Sequence, residues 1–499
     1  MPDKLYWGDL HSHCSVSYGH GSVDQALARA QQQLDFASVT GHAFWPDMPR
    51  DRDQYAEIID YHNVGFARLA SNWDTLLQRQ KSLSIANEFL AFPSYEWHSL
   101  QYGDHNVYAM GPELTLQDAT SVAELREVVS RQNSIAIPHH IGYAAGYRGI
   151  NWDHYSEEAS PFVEVFSLHG CSLGDHAPYP MLHDMGPRDH GSTALAGWDR
   201  GFRFGIVGGT DHHGAYPGSW GDGRMGVFAE DLSRQALWDA FAARRVFAAT
   251  GDRIDARITI NDSPLGSVIT AGDRRHIKLN VAAADKLDRV DLYKNEHLLQ
   301  RFTPMPGNTA NSQRWKLRIS WGWGQQDRLV DWLAELSLHQ ARITDVETCF
   351  RGEAIVSPQP SDSLAEVPDN VDLPHEILET DETNLTWKSV TRGNLSMRHA
   401  TTQSLILSID GPLDARLSLT VNGQRYQDQL GDLFNKGRSQ YLRGWLSEAI
   451  QIGPLIPESE CHVSSSMEDD ADQDEDRYRL EVTQTNGQCA WLTPIWAQR

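Results

Sequence analysis

Short apolar runs punctuate the first half of the chain, each leading into a longer stretch with apolar residues at helical spacing. Lys4–Leu10, Phe36–Thr40, Ala91–Tyr95, Asn106–Met110, Ser134–Pro138, Phe162–Phe166 and Phe204–Val207 read as strands. Helical spacing begins at Val23 behind Ser22, runs from about Tyr55 to Ser82, and returns over Ser121–Arg131 and Ser233–Arg245. Three of these helices open at a serine, whose hydroxyl can accept from an orphan N–H of the first turn. Strand-helix alternation predicts an α/β fold for residues 1–251. Gly170–Gly201, rich in Gly, Pro, Asp and His, reads as a long loop with one short helix.

Beyond Thr250-Gly251 the pattern changes to strict alternation, as in Arg253–Ile260, Arg314–Ile319 and Leu417–Val421. Residues 252–499 are therefore expected to form an all-β sandwich-like domain. Two stretches, residues 357–384 and 467–476, are acidic or Pro/Ser-rich and are expected to be solvated loops.

The chemistry sits at the ends of the first-half strands. Gly8-Asp9-Leu10-His11-Ser12-His13 closes the first run with two imidazoles two residues apart, which on extended backbone face the same side. Val39-Thr40-Gly41-His42, Tyr95-Glu96, His105, Ile137-Pro138-His139-His140 and Gly209-Thr210-Asp211-His212-His213 follow in the same style. Only six of the 22 histidines lie beyond residue 251, which confines this chemistry to the first half. Imidazoles and carboxylates delivered from many strand ends favour a barrel mouth holding a metal cluster. Glu96 is the one carboxylate closing a mid-barrel strand, and a bridging carboxylate can hold two cations.

Taken in order, Asp9-Leu10-His11-Ser12-His13, His20-Gly21-Ser22, Gly41-His42, Glu96, His105, Pro138-His139-His140 and Asp211-His212-His213 resemble the PHP superfamily. The superfamily takes its name from its polymerase-associated and histidinol phosphatase members. Tyr95-Glu96-Trp97, Asp104-His105-Asn106-Val107, Val163-Glu164-Val165-Phe166-Ser167 and Arg244–Gly251 resemble a branch of it defined only as a domain of unknown function. The resemblance implies a distorted seven-stranded (β/α) barrel with two or three divalent metals, and the histidines beside Glu96 favour zinc, manganese or iron. It implies one ligand group of His11, His13, Glu96 and Asp211. A second would comprise Glu96, His105 and one of the 139–140 pair, taken as His140. A third would be His20, His42 and His213. His212 would face away, and Glu164 would either support a ligand imidazole or be an inert barrel position.

Net charge alters the substrate question. The formal charge of -24 disfavours a nucleic-acid binder, although bound metals can reverse the local field for a small phosphorylated substrate. Lys4 and Lys81 are the only lysines before residue 252, so a cationic clamp would fall to metals or arginines. Arg148 and Arg224, in Gly-rich loops just after metal motifs, are the candidates for substrate contact. Five scattered cysteines give no disulfide framework, and no signal-like or bilayer-length apolar segment is visible, so a cytoplasmic protein is expected.

These features together predict a metal-dependent hydrolase, with phosphoesters as the favoured substrates and Glu96, Asp211 and His213 as catalytic residues. One rival is hydrolysis of a non-phosphate ester or amide. Another is a metal-stabilised binding protein whose β half recognises carbohydrate or protein, with Trp321 and Trp323 as stacking platforms.

Overall fold

The computed structural model describes residues 3–304, 313–325, 328–353, 355, 373–393 and 402–499. The molecule is a mixed α/β protein with many strands and few helices. The strands of its first half are β1 (Lys4–Asp9), β2 (Phe36–Ala37), β3 (Gly41–Phe44), β4 (Leu90–Ala91), β5 (Ser94–Trp97) and β6 (His105–Ala109). They continue with β7 (Ser134–Pro138), β8 (Phe162–Ser167), β9 (Gly170–Cys171), β10 (Gly205–Gly208), β11 (Arg224–Ala229) and β12 (Val246–Ala249). Between them lie α1 (Val23–Gln31), α2 (Arg52–Leu83), α3 (Val122–Arg131), α4 (Ala194–Asp199) and α5 (Arg234–Ala242).

The helix starts follow the capping chemistry. Ser22 forms a reciprocal capping box with Gln25, and the Ser121 and Ser233 hydroxyls accept from Glu124 and Ala236 N–H. The run Ala91–Tyr95 divides into β4 and β5, since Pro93 has no N–H to continue a ladder. Three sheets result, ordered β12-β11-β1-β2-β4, β3-β5-β6-β7 and β10-β8-β9. Gly41 lets α2 approach β3 closely, because a Cβ there would lie 2.4 Å from Leu69 Cδ1.

The second half holds two layered pairs of sheets where one sandwich was expected. In the first, Asp255–Ile260, Arg274–Ala282 and His462–Asp470 face Leu287–Lys294 and Glu475–Gln484 across Ile258, Ile277, Leu292 and Leu480. This layer is continuous with the first half, for Cys489–Leu492 pairs with β12 in the register Phe247↔Leu492. In the second, two five-stranded sheets enclose Trp315, Trp321, Trp332, Leu336 and Trp387. Trp321 is wholly buried and donates its indole N–H to Ser389, so it is a core residue and not a sugar platform.

Residues 467–476 are a loop only at 471–474. They end one strand and begin the next, and cations from the facing strands make this possible: Lys294 Nζ lies 2.9 Å from Asp469 and 2.8 Å from Asp472, and buried Arg275 pairs with Asp476. Of the other acidic stretch, residues 357–372 lie outside the described residues, while His375–Thr380 is a strand. No helix among the described residues is long and apolar enough to cross a membrane.

His375 gives this half a measurable signature. It is buried against Phe350, with Nδ1 2.7 Å from Ser389 Oγ, and burial, with Arg29 nearby, pushes its pKa down to about 3. A histidine that resists protonation when folded binds more protons unfolded, so its stabilisation is lost as pH falls from about 6.5 towards 3. Urea unfolding at pH 6.5 and 5.0 should show His375→Gln losing about 1–2 kcal/mol less than the wild type over that interval.

Candidate metal centre

The ladder of β1 ends at Asp9, and the chain beyond it pairs with the segment after β10. Ser12 bridges His212 in parallel, Asp211 N–H donates to the His11 carbonyl at 2.7 Å, and His13 N–H donates to the His212 carbonyl at 2.9 Å. This short pairing keeps the two-residue period, so His11 and His13 both face Asp211. Their Nε2 atoms lie 3.3 and 3.0 Å from Asp211 Oδ1. Ser12 turns the other way and donates to the Ser38 carbonyl.

Glu96, on β5, lies at the centre. Its Oε2 is 3.5 Å from His13 Nε2, 3.5 Å from His42 Nε2 and 4.0 Å from His11 Nε2. Its Oε1 is 3.0 Å from His139 Nε2 and 3.2 Å from His98 Nδ1. Four groups with metal-ligand spacing therefore meet here: His11, His13 and Asp211; Glu96, Asp104, His139 and His140; His42, Glu96 and His98; and His13, His42 and His213.

Several expected positions fall elsewhere. His105 faces away, with Nδ1 2.9 Å from the Gly103 carbonyl and its ring edge-on to Trp97, and its neighbour Asp104 occupies the cluster instead. Alternation along a strand would admit only one of His139 and His140. The ladder ends at Pro138, however, and His140 adopts a positive φ of 33°, so both rings enter the site. His20 belongs to none of the ligand groups among the described residues. The loop before it lays Tyr18 flat on His42, ring centroids 3.5 Å apart, with Ser17 Oγ 3.0 Å from His42 Nδ1. His212 faces the second half, as its place between two ligand positions predicts.

The two arginines separate. Arg148 stands at the cluster, paired with Asp104, 2.8 Å from His98 Nδ1 and set over the Trp45 ring. Arg224 is fully buried on β11, where its guanidinium donates to the Gly218 carbonyl and Gln33 Oε1, so it holds the loop and cannot meet substrate. A Gly-rich loop was the wrong context for it, because the residue opens β11, pairing with Ala249 of β12, and the ladder with β1 starts at the next residue, Met225.

Other site residues carried weaker sequence signals. His169 stands just before the long loop, and its Nε2 is 2.9 Å from Asp211 Oδ2, while its Nδ1 pairs with Asp184, itself hydrogen-bonded by Tyr143. His98 shares the two-residue spacing of His11 and His13, counted from Glu96, and that spacing was its available signal. Glu164 accepts from His11 Nδ1 at 2.7 Å. Asp9 joins the two ligand segments by accepting His11 N–H, Thr210 N–H, Thr210 Oγ1–H and Gly218 N–H.

A common device orients the rings. Nδ1 of His11, His42 and His213 is held by Glu164, Ser17 and the Asp211 carbonyl, leaving each Nε2 for the cluster. Electrostatics sort the donors. Burial alone would raise the carboxyl pKa values. The imidazoles of His11 and His169 beside Asp211, and of His98 and His139 beside Glu96, outweigh it and hold both well below the usual range. Burial and neighbouring imidazoles push His42 well down, and His213 down to about 3, so both present neutral lone pairs. His11 goes the other way. Burial opposes its charge, but Asp211, Glu164 and Glu96 raise its pKa to about 10.

A family model described as "Protein of unknown function (DUF3604)" matches residues 219–262, from the loop after the Asp211 motif into the first strand of the second half. An uncharacterized protein of Chlamydia trachomatis serovar D is 28% identical over 177 residues, 32% of this chain and 28% of that one. An uncharacterized protein of Chlamydia pneumoniae is 27% identical over 204 residues, 38% of this chain and 32% of that one. The matches thus span 28% and 32% of these two relatives' own lengths. A solved structure from Bacteroides vulgatus, described as a two-domain protein containing a predicted PHP-like metal-dependent phosphoesterase, is 14% identical with a TM-score of 0.34. That similarity covers 62% of this chain and 81% of the other.

Proposed function

We propose that residues 1–251 form a PHP-like barrel that is a metal-dependent hydrolase, most suited to phosphoesters, with residues 252–499 as its β-rich companion. The observation that carries this reading is the placement of Glu96. Its two oxygens face different sets of imidazoles in a buried cluster that also holds Asp104 and Asp211.

The residues fit divalent cations. His11 Nε2 and Glu96 Oε2 are buried without a hydrogen-bond partner and face each other at 4.0 Å, an arrangement costly to keep unless a cation satisfies both. Mixed imidazole and carboxylate donors suit zinc, manganese or iron. His11, His13 and Asp211 would hold one ion and Glu96, Asp104, His139 and His140 a second, with His42 and His213 beside them for a third. Bound cations would supply Lewis-acid activation of water and of the scissile ester.

The chain's own groups do the rest. Glu164, Ser17 and the Asp211 carbonyl fix ring orientation at three histidines. Arg148, steadied by Asp104 and Trp45, is the cation available to a substrate oxyanion. Glu96, Asp211 and His213 are the proposed catalytic residues.

The test is hydrolysis of p-nitrophenyl phosphate and bis-p-nitrophenyl phosphate with added manganese, comparing the wild type with His13→Ala. Release of p-nitrophenol that disappears in the variant is expected. No release from protein confirmed to hold metal would overturn the phosphoester reading in favour of a non-phosphate ester or amide.

A further inference from the structure

We infer that the second half of the chain sets the position of the Asp211–His213 segment, with Gly352 as the positioning residue. The inference rests on the metal-site reading above, and four contacts carry it.

The loop that follows the Asp211 motif is anchored in the far sandwich: Tyr216 is buried in the same core as Trp315, Trp321 and Phe350. Its descent is tied by backbone, Trp220 N–H donating to the Phe350 carbonyl at 2.9 Å and Gly352 N–H to Ser219 Oγ at 3.1 Å. Above this seam stands His212. A Cβ on Gly352 would lie 2.6 Å from both Cε1 and Nε2 of the His212 ring and 2.7 Å from Tyr216 Cβ.

The path from Gly352 to the cluster is short and stiff. His212 lies between Asp211 and His213 in the chain, and its carbonyl accepts from His13 N–H. A push on its ring therefore moves donors of two ligand groups at once, and close-packed interiors transmit such a push instead of absorbing it. Glycine at position 352 is the allowance that lets the two halves close on each other without displacing the ligands. The β-rich half is then part of how the site is assembled, and not an appended recognition module.

The experiment uses the full chain freed of metal with chelator, titrated with manganese or zinc in a calorimeter, with urea unfolding of each metal-free protein in parallel. Gly352→Ala is expected to weaken cation binding roughly tenfold or more, the scale seen when residues supporting a ligand are changed. Ser219→Ala removes a seam hydrogen bond without adding bulk, and a smaller loss in the same direction is expected. It serves if Gly352→Ala does not fold. Trp332→Phe, in the same sandwich core and with its indole N–H bonded to Thr391 and to no seam residue, should lower stability and leave cation affinity unchanged.

Wild-type affinity in both seam variants would overturn the inference while leaving the metal site standing. So would equal weakening in Trp332→Phe, which would mean that stability alone was being read. A wild-type protein that binds no cation would overturn the metal-site reading itself.

Discussion

Glu96→Gln is expected to lower turnover by about a thousandfold or more and to remove at least one equivalent of bound cation. The reason is geometric. Each carboxylate oxygen serves a different group of imidazoles, Oε1 towards His139 and His98, Oε2 towards His13 and His42. An amide keeps the shape, but one of those oxygens becomes an NH2 that offers protons where a cation needs a lone pair. Metal content by atomic absorption, together with turnover, reads the two losses separately. Near-ultraviolet circular dichroism checks that the fold is kept. A variant that holds wild-type metal and turns over at the wild-type rate would remove Glu96 from the centre of the site.

Asp9→Ala is expected to cost about 3–5 kcal/mol of stability and to abolish cation binding with it. The Asp9 carboxylate is fully buried and accepts four hydrogen bonds, from His11 N–H, Thr210 N–H, Thr210 Oγ1–H and Gly218 N–H. Truncation leaves the His11, Thr210 and Gly218 N–H groups buried and unpaired, while the Thr210 hydroxyl keeps the His11 carbonyl at 3.0 Å. Asp9→Asn keeps the bulk and up to three of the bonds, so its loss should be smaller. Urea unfolding of the metal-free proteins separates this effect from lost cation stabilisation. A change under 1 kcal/mol in Asp9→Ala would show that the join is made elsewhere.

These two residues illustrate different degrees of legibility. Glu96 stood out because a lone carboxylate closing an apolar run has few structural excuses. Asp9 stood in the same motif as His11 and His13, yet its part depends on Thr210 and Gly218, some two hundred residues away in the chain, and no local pattern encodes that meeting. Similar reasons explain the displaced assignments. His105 was read for its residue type, but strand register turned Asp104 into the cluster. Arg224 was read for its Gly-rich flank, but pairing with β12 and bonds to Gly218 and Gln33 hold it inside. The choice between His139 and His140 assumed a pleat that ends one residue too early to govern them.

What the chain determined by itself was local. Serine caps started three helices, apolar runs became strands, a proline divided one of them, and the order of the histidine and carboxylate motifs pointed to metal chemistry. Periodicity and capping operate over a few residues, and a single sequence displays them directly. What only the tertiary structure decided was which polar groups share a buried volume. It drew in Asp104, His98, His139 and His169, excluded His105 and Arg224, set Tyr18 and Ser17 on His42 and His20 outside the groups, and joined the two halves through β12 and the seam at Gly352. Those outcomes depend on register, on positive-φ turns such as that at His140, and on contacts between distant segments. Each is the result of closing long loops against a common core, an energy spread over the whole chain and written in no one stretch of it.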